Sequence, residues 1–159
     1  ISSVTIGGVS ATSVVETSFT GGGANGRVGL FIATLDTGTT ADVVVTTSAT
    51  CLRGGIGVWA ISNLLSSTPT STGSDGTGAT YAAGLTVDAG GVTVCYAQTY
   101  YSPTPTYTAS NYTEDFDATV ESLIGHTGGH DSYASADSPT LTITPSGHTA
   151  GGGVFASFA

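Results

Sequence analysis

Glu114, Asp115 and Asp117 form the densest carboxylate cluster of the chain, and on a strand Asp115 and Asp117 share one face. Hard oxygen ligands of this kind suit Ca2+, yet the cluster lacks the Asp/Asn/Gly ladder of a dedicated calcium loop, so a solvated acidic face stands beside the calcium reading. His126 and His130, with Asp131 following, have a spacing that on a helix would aim two imidazoles at one metal. Gly128 and Gly129 lie between them, which predicts a turn with polar tips instead. For nucleophilic chemistry the chain offers many serines, but none occupies a G-x-S-x-G elbow and neither cysteine adjoins a histidine. A non-enzymatic protein with no catalytic residues is expected.

The stretch YYSPTPTYTASNY sets Tyr100, Tyr101, Tyr107 and Tyr112 beside Pro103 and Pro105. A stiff loop with aromatic faces and hydroxyl handles stacks on sugar rings or packs against a neighbouring subunit. These four tyrosines are the candidate ligand or host-contact surface; the alternative is that they cap a sheet edge with their hydroxyls in water. Asn111-Tyr112-Thr113 is a glycosylation sequon, which matters only in a chain secreted by a eukaryote. Cys51 and Cys95, if paired, close a loop of roughly 45 residues, a constraint contributing about 4 kcal/mol. Cys95 lies within a strand-like run and Cys51 just ahead of one, where a buried free thiol also fits, so both states stay open.

The elements that must position these residues are strands. Period-two alternation and β-branched enrichment recur along the chain, punctuated by turn signals such as Asn25-Gly26, Asp36-Thr37-Gly38 and Pro145-Ser146-Gly147. The pattern predicts strands over 12–20, 27–35, 41–48, 55–62, 80–87, 91–101, 112–121, 131–136, 141–144 and 152–158, with a short one over 3–6. The segment 117–124 could form at most a short helix, and 65–79 reads as a long surface loop. About ten short strands with regular turns argue an all-β fold, an antiparallel two-sheet β-sandwich of jelly-roll or immunoglobulin-like topology. In the run VTVCYA both faces are apolar, Val92, Val94 and Tyr96 against Thr93, Cys95 and Ala97, so that strand should be central. Trp59, inside the run GIGVWAI, is expected to be a buried anchor.

Composition narrows function by exclusion. The 159 residues contain no lysine, two arginines (Arg27 and Arg53) and eleven carboxylates, for a net charge of −9. Such a chain repels phosphate backbones and anionic lipid, which argues against nucleic-acid and membrane partners. No apolar run is long enough to span a bilayer. A mean hydropathy of +0.24 argues against disorder, and the length suits one continuous domain over 1–159. Within it, 1–26 is read as an N-terminal strand and attachment segment and 27–159 as the sandwich. The chain opens on Ile1 rather than Met, as expected of a processed chain or a piece of a longer one. Residues 1–6 begin apolar without an obvious partner strand, so they are expected to offer an edge to a neighbouring chain.

Three stretches carry a resemblance: CLRGGIGVWAISNLLSSTPTSTG, LTVDAGGVTVCYAQ, and YTEDFDATVES with the closing GGGVFASFA. Together, over about 27–159, they resemble a β-sandwich domain of structural proteins in tailed bacteriophages and gene transfer agents, of decoration, head-spike or tail-fibre type. The resemblance implies a place on the outside of a virion, other virion structural proteins as partners, a homo-oligomer, no catalytic residues and no required cofactor. Attachment to a host glycan is a further expectation. The alternative function is a carbohydrate-binding sandwich module of a secreted protein or adhesin.

Overall fold

The computed structural model describes residues 1–38, 40–101 and 105–159, and of Ala24 the backbone alone. Among the described residues the chain is all-β, with thirteen strands in four antiparallel sheets and no helix. The strands are β1 (Ser3–Ile6), β2 (Val9–Ser10), β3 (Thr12–Gly21), β4 (Ala24–Ile32), β5 (Val43–Thr46), β6 (Ser71–Asp75) and β7 (Tyr81–Gly84). They continue with β8 (Val92–Tyr100), β9 (Tyr107–Ser110), β10 (Thr113–Val120), β11 (Ile124–Ser132), β12 (Thr140–Pro145) and β13 (Ala150–Phe158).

The largest sheet has the order β10-β11-β8-β13-β6. Parity sends alternate residues of β8 and β13 to opposite faces, and each face has its own core. On one face Cys95, Ala97 and Phe155 pack with Tyr81, Leu141 and Ile143, which come from the three-stranded sheet β7-β12-β9 and include fully buried residues. On the other, Tyr96 and Val154 pack with Phe19 and Val28 of the β3–β4 hairpin. Each such large side chain contributes about 1.5–3 kcal/mol on leaving water. Two pairings of polar groups lie between the layers: Tyr81 Oη and Thr99 Oγ1 are 3.0 Å apart, and Ser157 Oγ donates to the Thr86 carbonyl at 2.6 Å. The remaining sheet, β2-β1-β5, makes no extensive contact with the other three.

Several expectations change. β1 is the middle strand of its sheet, paired to both β2 and β5, so residues 3–6 offer no free edge. The β3–β4 hairpin runs through residue 26, where a change from attachment segment to sandwich was expected. Among the described residues 55–62 pair with no strand, whereas 71–75, expected in a loop, add β6 to the edge of the large sheet through its backbone. Where a short helix was allowed, β10 runs to Val120 and ends in a turn in which Glu121 has φ 66°.

The largest difference is β11. Its Gly128-Gly129 pair, read as a turn, lies in mid-strand because neighbouring rings need the room: a Cβ on Gly128 would stand 2.7 Å from the Trp59 ring and 2.8 Å from that of Phe116. Gly128→Val should therefore cost about 1–3 kcal/mol through overpacking. Gly84→Ala, whose added Cβ meets nothing closer than 3.9 Å, should leave stability within about 0.5 kcal/mol. Chemical denaturation of both variants checks this.

Candidate functional site

Of the residues singled out from the sequence, Trp59, Asp115, His126 and His130 gather where segment 51–62 crosses the large sheet. Burial alternates along it: Arg53, Gly55, Gly57, Trp59 and Ile61 are half-buried, while Leu52, Gly54, Ile56, Val58 and Ala60 are exposed. That is the period of a strand, yet among the described residues these residues make no backbone hydrogen bond to any strand. Side chains hold the segment instead. Tyr96 Oη donates to the Gly55 carbonyl at 3.0 Å, Trp59 Nε1–H donates to Asp115 Oδ2 at 2.6 Å, and Arg53 pairs with Glu121. Trp59 is thus half-buried rather than fully enclosed, stacked at 5.7 Å on Phe116.

The three carboxylates each face a different partner. A bulge between Glu114 and Phe116 leaves Asp115 as the extra residue of β10, beside Phe116 on the Trp59 side, while Asp117 falls on the other. Asp115 meets Trp59 and also His130, whose Nδ1 is 2.8 Å from Oδ2. Glu114 Oε1 is 2.6 Å from Thr127 Oγ1, and Asp117 Oδ2 accepts from the Tyr107 N–H at 3.3 Å. Among the described residues no three His, Cys, Asp or Glu side chains gather to hold a metal. The Ca2+ reading of Glu114, Asp115 and Asp117 therefore gains no convergent ligand set. His126 and His130 flank Gly128 on one face of β11, and the Trp59 ring lies over Gly128 between them.

The Asp115–His130 pair has the form of an oriented imidazole, but among the described residues no hydroxyl or thiol is hydrogen-bonded to it. His126 sits deeper. Tyr96 Oη, having given its one proton to Gly55, accepts from His126 Nδ1–H at 2.9 Å. Burial pulls the His126 imidazole below its ordinary 6.5, with Asp117 acting weakly against it.

The tyrosines do not form one platform. Tyr107 and Tyr112 are core residues packed with Tyr81 and Phe155, and burial raises both phenols. Tyr100 is half-buried against the Phe19–Tyr96 core and Tyr101 half-buried against Gly147. Pro103, expected to stiffen this loop, lies outside the described residues. The sequence signal that could have separated them is parity: in Tyr107–Ser110, Tyr107 alternates with polar Thr108 and so points inward. The cysteines are unpaired. Cys51 is exposed, while Cys95 is buried with its thiol pushed up to about 12 by desolvation.

Along segment 51–62 runs an open groove of about 1120 Å³, bounded also by β1, β4 and β5, which Leu52, Ile56, Val58, Trp59, Tyr96 and Tyr100 help line. Its charged lining residues are Arg27 and Arg53, held by Glu16 and Glu121 respectively. No helix among the described residues is long and apolar enough to cross a membrane. No family model matches the chain, and neither the curated proteins nor the solved structures contain a significant match to it.

A histidine whose folded pKa is depressed supports the fold fully above its unfolded value near 6.5 and loses that support as pH falls through the folded value. Denaturation midpoints measured from about pH 7.5 to about pH 5 should fall with acidity in the native chain. The fall should be shallower in His126→Gln, which keeps a polar group at the Tyr96 contact but cannot titrate.

Proposed function

We propose that the chain is a non-enzymatic structural and adhesive protein on the exterior of a virion, working through surfaces rather than through a reacting group. One observation carries this: Ile56, Val58 and Leu65 are 56%, 65% and 88% exposed within a stretch, 54–74, that has no charged residue in a chain of net charge −9, and Leu52, just ahead of it, is 85% exposed. Monomeric soluble proteins seldom present contiguous apolar surface without a partner for it. The absence of lysine and the uniform acidity elsewhere keep many copies apart until that surface is engaged.

The large sheet faced by β7-β12-β9 supports the sandwich expected from the sequence, with the β3–β4 hairpin as an added layer. The resemblance to tailed-phage and gene-transfer-agent proteins supports the exterior location. A carbohydrate-binding module is the second reading. Burial of Tyr107 and Tyr112 weakens the tyrosine-loop form of it, but the half-buried rings of Trp59 and Tyr100 give the groove aromatic edges for a sugar, beside Arg27 and Arg53, which are already paired with glutamates.

Gold-labelled antibody against residues 1–159, applied to intact particles from the source organism, should decorate their outer surface. Label confined to particle-free fractions, together with a positive glycan array that Trp59→Ala abolishes, would favour the module instead.

A further inference from the structure

The exposed residues of the side-chain-held segment have an order of their own: Leu52, Gly54, Ile56, Val58, Ala60, or large, small, large, large, small. Reversed and laid against itself with Ile56 opposite Ile56, this series is self-complementary. Leu52 meets Ala60 of the partner subunit, Gly54 meets Val58 of the partner subunit, and the axial isoleucines touch each other. Such matching of ridge to gap is what an isologous interface requires of a single surface patch.

We propose that two copies of the chain pack face to face through this stripe about a two-fold axis at Ile56. Charge supports a second copy as the occupant. Two chains of net charge −9 repel, and identical surfaces meeting about a two-fold axis bring like charges together wherever a patch is charged. Gly54 to Ala60 carry none, and Arg53 is paired with Glu121 of its own chain. The stripe is about 27 Å long at strand spacing. With the extent of exposure at Leu52, Ile56 and Val58, two copies bury on the order of 1,000 Å², the lower bound for a specific interface. Because these side chains point away from the core, the contact leaves the fold of each copy unchanged.

The proposal deepens the assembly reading and fails separately from it: particles could carry the label while the isolated chain stays monomeric. The test is sedimentation of the purified chain over a concentration series, with Val58→Asp, Ile56→Asp and Ala60→Leu compared at equal melting temperature. Expected is a monomer–dimer equilibrium that tightens with added salt, as screening removes the repulsion between acidic copies. Either aspartate should weaken it at least tenfold. Ala60→Leu should also weaken it, although it makes the surface more apolar, because it fills the gap that receives Leu52 of the partner subunit. A bis-maleimide crosslink through Ile56→Cys, in a Cys51→Ser background, should join two copies. A chain that stays monomeric at millimolar concentration overturns the proposal, as does an oligomer that survives both aspartates or one that Ala60→Leu strengthens.

Discussion

The fold depends on one constraint: the β8–β13 pair must be covered on both faces. Every residue of β13 is buried, and alternate residues enter different cores, Val154 beside Phe19 and Phe155 beside Tyr81. Two layers closing on one strand leave little room between them, which is why its first half is glycine-rich. A Cβ on Gly153 would stand 2.7 Å from the Cβ of Tyr81. A doubly covered sheet reads as continuous apolar and small residues rather than strict alternation, and the closing GGGVFASFA has that character.

The two covers are built differently. The β7-β12-β9 sheet seals its side with backbone-paired strands and fully buried rings. The opposite side is sealed partly by the β3–β4 hairpin and partly by an extended segment that no strand pairs among the described residues. The Trp59–Asp115 and Tyr96–Gly55 hydrogen bonds and the Arg53–Glu121 pair hold that segment down. The polar groups that looked like chemistry in the sequence thus serve mainly to fasten one layer to the next. Anchoring by the odd-numbered residues leaves the even-numbered ones facing outward, and those are aliphatic. The same alternation that makes the segment a good cover makes its outer face an unpartnered surface.

Much of the fold was legible because parity is local. The two-faced character of VTVCYA placed β8 at the centre of its sheet, and the short run at 3–6 was recognised to the residue. What escaped was set by contacts distant in sequence. Gly128 and Gly129 signal a turn on their own and become strand only because Trp59, Phe116 and Tyr112 demand space above them. Segment 55–62 has every local mark of a strand and lacks only a partner. Polar 71–75 has few such marks and becomes one because the edge of β13 is available. At the candidate site, Asp115 and Asp117 were placed on one face by simple alternation. A single bulge, invisible in the sequence, put them on opposite faces.

The central claim is that segment 53–61 is held by its side chains against a sheet whose inner strands, β8 and β13 among them, are paired on both sides. Amide hydrogen exchange on the dilute chain tests it most directly, because exchange reports backbone pairing separately from burial. The amides of β8 and β13 should exchange only with global unfolding, while those of 54–61 should exchange orders of magnitude faster despite the half-buried Trp59 in their midst. Protection of 54–61 equal to that of β8 would contradict the account, showing the segment to be a true strand of the fold.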